Sequence, residues 1–142
     1  MKSILYVSRS LIPQAIADGE VNSMVSSARV RNRSLNITGA LIYTGVRFAQ
    51  LLEGPSTSVD QVMASIEKDI RHERIVILPV FQKSVRRFST WALAYAGPSL
   101  YVDRHIKRHF QNLPEEERVE ECERLVELMW ALSQSIPVPS TL

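Results

Sequence analysis

Two amide side chains stand where an apolar core would place hydrocarbon. Gln50 lies between Phe48 and Leu52 on one face of the segment RFAQLLEG. Asn32 continues a helical stripe made by Val21, Met24, Val25 and Ala28. A buried amide must find partners for its donors and its acceptor oxygen. A neutral group that both donates and accepts, set in an apolar wall, suits the polar edge of a planar ligand. For Asn32 the plain alternative is a helix C-cap, since Ser34 and the NITG segment follow. Tyr6 shares a face with Ile4 and Ser8 of an apolar N-terminal segment. Its phenol can lose an electron and a proton together; its ordinary role would be a core tyrosine with a satisfied hydroxyl. Trp91 shares a face with Ser89 and Leu93, and on its own reads as a large core residue.

The charged candidates are weaker by themselves. Asp69, Arg71 and His72 fall at the expected end of a second helix, where a charge run is usually solvated and a histidine faces the helix dipole. Arg31 reads as another helix-end cation. His105 and His109 are four residues apart, but no nearby carboxylate or cysteine completes a metal set, so no metal is expected.

The elements that must position these groups follow a strand-helix-strand-strand-helix-strand-strand order. The first strand covers Ser3 to Ser8, apolar on both faces, and is expected to be central. A helix follows from about Gly19 to Asn32. Ile37 to Thr44, a turn at Thr44-Gly45-Val46, and Arg47 to Glu53 make a hairpin. The second helix is expected to start near Ser58, with Gln61 at capping-box spacing and a stripe of Val59, Val62, Met63, Ile66 and Ile70. Strands are expected over Arg74 to Phe81 and Arg86 to Tyr95. Two helices crossing over between strands point to an α+β, ferredoxin-like mixed sheet with one added strand. After Gly97-Pro98, Val102 to Phe110 reads as a short basic helix, and Pro114 opens a longer one with the stripe Val119, Cys122, Val126, Met129 and Leu132. This pair is expected either to cover the sheet face left bare by the first two helices or to offer an association surface.

Composition narrows the class. A chain of 142 residues with 45% hydrophobic content can bury a core without staples. A net charge of +2 does not by itself imply a nucleic-acid partner. One cysteine, Cys122, excludes an internal disulfide framework and fits a reducing compartment. No apolar run reaches membrane-spanning length, and the N-terminus lacks a signal-type apolar core, so a cytoplasmic protein is expected.

The segment ITGALIYTGVRFAQLLEG resembles the core signature of BLUF domains, the flavin-binding blue-light sensors. ILYVS at the N-terminus, the pair Arg31-Asn32, DIRH at 69–72 and RRFSTWAL at 86–93 follow in the family's order and at compatible spacing. The resemblance spans about residues 3–97. It implies a flavin-binding domain over 1–97, a helical extension over 98–142, and FAD held noncovalently. It implies that Tyr6 and Gln50 are the photoactive pair, that Trp91 and Leu93 relay the signal, and that Arg31, Asn32, Phe48, Gln50, Asp69, Arg71 and His72 surround the cofactor. It further implies a light-induced rearrangement around the Gln50 amide, by rotation or tautomerisation, with no substrate turned over. Output would pass through a partner protein or a change of homo-oligomer. Leu93 departs from the pattern: methionine is common there, and leucine lacks its polarisable, flexible thioether. Two other readings stand beside this one. A small hydrolase of the acylphosphatase kind would need a phosphate-cradling loop, and none is evident between the first strand and helix. A nucleic-acid module would draw on RVRNR at 29–33 and KSVRR at 83–87, but paired strand aromatics are missing.

Overall fold

Strand β1 (Lys2–Ser10) is followed by helix α1 (Ala17–Ser34), the hairpin β2 (Thr38–Tyr43) and β3 (Arg47–Gly54), and helix α2 (Ser56–Lys68). Then come β4 (His72–Leu78), β5 (Trp91–Leu93), α3 (Leu100–Lys107) and α4 (Glu115–Ser135). This is a computed structural model that describes residues 1–93 and 100–135. The strands form one sheet in the order β4-β1-β3-β2-β5, antiparallel except for the β2·β5 pair. The first four strands have the ferredoxin-like order, and β5 is the added edge. The interior place expected for β1 is observed.

Strand alternation divides the core in two. Tyr6, Leu41, Phe48, Leu52 and Trp91 point to the side covered by Val21 and Val25 of α1 and Val59, Val62 and Met63 of α2. Leu5, Val7, Ile42, Ala49 and Leu51 point the other way, onto Val102 and Ile106 of α3 and Cys122, Leu125, Val126 and Met129 of α4. The C-terminal helices therefore cover the second face, the first of the two arrangements expected of them. Burying both faces explains why β1, β2 and β3 read as near-continuous apolar runs. Gly39 is obligatory in this sheet. Its φ is +146°, and a Cβ there would lie 1.9 Å from the Leu51 carbonyl oxygen of the neighbouring strand.

Several boundaries differ from expectation, each for a local reason. Helix α1 runs on to Ser34. Asn36, at φ 57°, takes the left-handed position. The Ile37 N–H then reaches the Asn32 carbonyl at 2.8 Å and the Asn36 N–H reaches Arg33 at 3.2 Å, a Schellman closure. The capping residue is thus Asn36, and Asn32 stays within the last turn. Helix α2 begins at Ser56 behind Pro55, and no Ser58–Gln61 capping box forms. It ends at Lys68, since Asp69 is extended, so Ile70 leaves the stripe and is exposed. Strand β4 begins at His72 and stops before Pro79, which has no N–H for a ladder. The fifth strand is described only over Trp91–Leu93; its expected continuation to Tyr95 lies outside the described residues. Its expected start at Arg86 is not a strand, because the Arg87 and Phe88 N–H groups are taken by the Glu53 carboxylate at 2.8 and 3.1 Å. The short basic helix starts at Leu100 and tightens to a 3-10 turn over Arg108–Phe110. Among the described residues no helix is long and apolar enough to cross a membrane.

His109 is buried against this second face beside Glu121, Arg108, Arg118 and His105. Burial above all pulls its pKa down to about 4, and its Nε2 has no hydrogen-bond partner. The unfolded chain therefore binds a proton at this residue over a pH range in which the fold does not. Its contribution to stability is present above the ordinary histidine range and lost as pH falls from about 6.5 toward about 4. We expect His109→Gln to flatten the fall in melting temperature over that window. Parallel curves for wild type and variant would remove His109 from the acid response.

Candidate functional site

The site is built on the α1/α2 side of the sheet, from β1 and β3 outward. Tyr6 and Gln50 are directly opposed across the β1·β3 ladder, so their side chains leave the sheet together. The Gln50 Nε2 donates to the Tyr6 hydroxyl at 2.6 Å. On the other side, the Trp91 Nε1 donates to the Gln50 Oε1 at 3.1 Å. All three residues are buried. Indole nitrogen is only a donor, so Trp91 dictates which way the Gln50 amide faces. Burial pushes the Tyr6 pKa far up, against the opposing effect of the Gln50 bond. Tyr6 is therefore a neutral phenol at any physiological pH.

These residues line a cleft of about 270 Å³ between β1/β3 and the two helices. Met24, Ala28, Leu41, Phe48 and Ile66 make its apolar walls. Arg31, Asp69, Arg71 and His72 supply polar groups at its edge. This mixture of apolar walls and few polar groups is typical of a small-molecule site.

Of the predicted residues, Tyr6, Arg31, Phe48, Gln50, Asp69, Arg71, His72 and Trp91 line the one cleft. Asn32 does not line it. Its side chain is fully buried behind Arg31, with Oδ1 accepting from the Arg31 Nε at 3.2 Å and Nδ2 left without a partner. Leu93 pairs with Leu41 in the β2·β5 ladder, and its side chain is outside the described residues. Asp69, Arg71 and His72 do not end a helix together: Asp69 caps α2, and His72 opens β4. Asp69 and Arg71 form a forked ion pair, with Nε to Oδ1 at 2.9 Å and Nη2 to Oδ2 at 2.5 Å. The Arg71 side chain holds the Asp69 pKa below the usual carboxylate range and has its own pKa raised in return. His72 spends both ring nitrogens on the protein, Nδ1 with Ser8 Oγ and Nε2 with the Ile66 carbonyl, each at 2.7 Å. A carbonyl can only accept, so Nε2 carries a proton. His72 is thus a wall residue, edge-on to Tyr6 and Phe48. Burial lowers the pKa of Arg31, and the Arg71 charge adds to that.

Sequence reasoning placed Met24, Ala28 and Ile66 only in helix stripes. Met24 and Ala28 remain partly exposed where Val21 and Val25 are sealed, which marks the cleft-facing edge of α1. Glu53 was missed as well. Its carboxylate is fully buried and holds Arg87 at 3.2 Å, together with the two backbone N–H groups of the loop that leads to Trp91. A glutamate in an otherwise apolar strand was the available signal.

The family model described as sensors of blue light using FAD matches residues 1–94. The chain belongs to the BLUF family. Among its relatives, the photoactivated adenylate cyclase subunit beta of Euglena gracilis is 30% identical over 91 residues, covering 64% of this chain and 11% of that protein. The blue light- and temperature-regulated antirepressor BluF of Escherichia coli (strain K12) is 41% identical over 69 residues, covering 49% and 17%. The chain therefore spans between a tenth and a fifth of these curated relatives. The dark-state structure of the BLUF protein BlrB is 30% identical with a TM-score of 0.66, covering 89% of this chain and 94% of that one. These likenesses favour a BLUF photosensor over the hydrolase and nucleic-acid readings.

BLUF domains bind flavin, and the residues here fit one. The orphaned Asn32 Nδ2 is a buried donor lacking an acceptor. The cleft, which Arg31 separates from it, combines apolar walls with a two-sided amide. An unsatisfied buried donor is costly, on the order of 1–3 kcal/mol, and a ligand carbonyl would relieve it only if Arg31 turned aside.

Proposed function

We propose that this BLUF domain is a blue-light photoreceptor that holds FAD noncovalently in the cleft and signals through the Tyr6–Gln50–Trp91 chain. The observation that carries the proposal is the Gln50 amide, bonded to Tyr6 through nitrogen and to Trp91 through oxygen in the cleft wall. When bound, flavin supplies blue-light absorption and an electron-accepting ring. Arg31, Asn32, Phe48, Asp69, Arg71 and His72 would surround it: Phe48 and His72 as wall, Asn32 as donor, Arg31 toward its polar edge or side chain. Tyr6 would give up an electron to the flavin ring and then its proton to Gln50, and would recover both on recombination. Each side chain ends with the atoms it began with, but the Gln50 amide is reoriented or tautomerised. A rotated amide would present Nε2 to the Trp91 N–H, donor against donor, so Trp91 must yield. Trp91 and Leu93 would pass that change along β5, a small local event acting on a two-state element.

We assign the flavin site to residues 1–97 and the output surface to the helical extension over 98–142. The signal would go to a separate effector protein or to the homo-oligomer, in the cytoplasm, with no substrate turned over. The supporting observation is that α3 and α4 seal the sheet face opposite the cleft, so a shift of the sheet reaches them directly.

Purified protein is expected to be yellow and to release FAD on heating or acidification, identified by chromatography. Colourless protein that refuses added FAD would overturn the proposal, and release of FMN alone would correct the cofactor.

A further inference from the structure

Three arginines lie side by side at one end of the sheet, on the face opposite the flavin cleft. Arg9 and Arg47 are directly opposed across the β1·β3 ladder. Like charges in that position repel. Arg74 comes from the next strand, β4, beside a register shift in the β1·β4 ladder. Its backbone is left-handed, with φ at 52°, a conformation that suits glycine and costs an arginine about 1 kcal/mol or more. The guanidinium groups of Arg47 and Arg74 both sit over the Phe110 ring, at 5.8 and 5.6 Å from its centre. Lys107 joins them around a cavity of about 260 Å³.

The charges at this cavity do not balance. Asp103 binds Arg47 at 2.6 Å, and Glu73 reaches Arg9 at 3.7 Å. Among the described residues Arg74 and Lys107 have no carboxylate partner. Four cations thus converge with two counter-charges, and one cation is held there by a strained backbone. Arg9, Arg74 and Lys107 are exposed and Arg47 is half-buried; adjacent strands and the Phe110 ring keep them around one cavity.

We propose that this basket binds a phosphoryl group, giving the domain a second ligand site on its output face. Forked guanidinium donors match phosphate oxygens, and Lys107 adds a point charge. The Arg47–Asp103 pair, which also takes the Thr44 hydroxyl at 2.8 Å, would make α3 and the β2–β3 turn sensitive to occupancy. The site is independent of flavin binding, because it lies across the sheet from the cleft.

The test is isothermal titration of the flavin-loaded full chain, freed of unbound flavin, with inorganic pyrophosphate at low salt. Saturable binding is expected, weakening as salt rises. Arg74→Gly should weaken it roughly tenfold or more while raising the melting temperature, because glycine suits φ at 52°. Loss of binding therefore cannot be ascribed to misfolding. Lys107→Gln should weaken binding several-fold, and Arg29→Gln, outside this basket, should leave it unchanged. A tenfold tighter response to ADP than to pyrophosphate would identify a phosphorylated small molecule, and equal responses would identify the bare anion. Absent saturation at millimolar pyrophosphate, or equal weakening by Arg29→Gln and Arg74→Gly, would overturn the site.

Discussion

Gln50→Leu is expected to keep flavin binding and to abolish the light-induced red shift altogether. Leucine nearly preserves the volume, and the walls formed by Met24, Ala28, Leu41, Phe48 and Ile66 are untouched. What disappears is the only hydrogen-bonded bridge between Tyr6 and Trp91 seen among the described residues. The buried Tyr6 hydroxyl loses its donor and the buried Trp91 N–H loses its acceptor. Leaving such groups unmet should cost the fold about 1–3 kcal/mol each. Transient absorption then separates the roles. Tyr6→Phe removes the phenol but keeps the Gln50–Trp91 bond, and should also bind flavin without the shift. A full shift in Gln50→Leu would remove the amide from the switch. A full shift in Tyr6→Phe would mean another donor serves.

The largest loss of stability is expected at Glu53. Its carboxylate accepts from the Arg87 Nη1 at 3.2 Å, the Ser3 hydroxyl at 3.3 Å and two backbone N–H groups. Both Glu53 and the Arg87 side chain are shielded from water. Glu53→Ala would leave a buried guanidinium and two amides without an acceptor, at a cost of about 3–5 kcal/mol. Against a typical total of about 5–15 kcal/mol, this is about a fifth or more of the stability. Glu53→Gln keeps one acceptor oxygen and should fall between the two. Urea unfolding measures the series. Because the Arg87 loop leads to Trp91, Glu53→Ala should also loosen the Trp91–Gln50 bond, seen as changed tryptophan fluorescence. An unchanged unfolding midpoint would mean the pair contributes nothing net.

The architecture and most of the cleft were legible in the order of the residues alone. Apolar alternation and helix stripes placed both cores, since each depends on local periodicity. Tyr6, Gln50 and Trp91 stood out because polar or bulky groups interrupted those patterns, and ordered family motifs joined them. Their connection was decided only by tertiary structure: the β1·β3 register sets Tyr6 against Gln50, and the added β5 brings Trp91 to the other side of the same amide. His72 shows the opposite outcome. A histidine near a ligand motif looks like a free donor, yet Ser8 and the Ile66 carbonyl, distant in sequence, consume both nitrogens. Asn32 was legible as an anomaly but not as a buried orphan, because its place inside the last turn depends on Asn36 turning left-handed. Glu53 and the Arg9, Arg47 and Arg74 basket were invisible for one shared reason. A charge's partners are set by which strands lie side by side, and strand order is a property of the assembled sheet, not of any local run of residues.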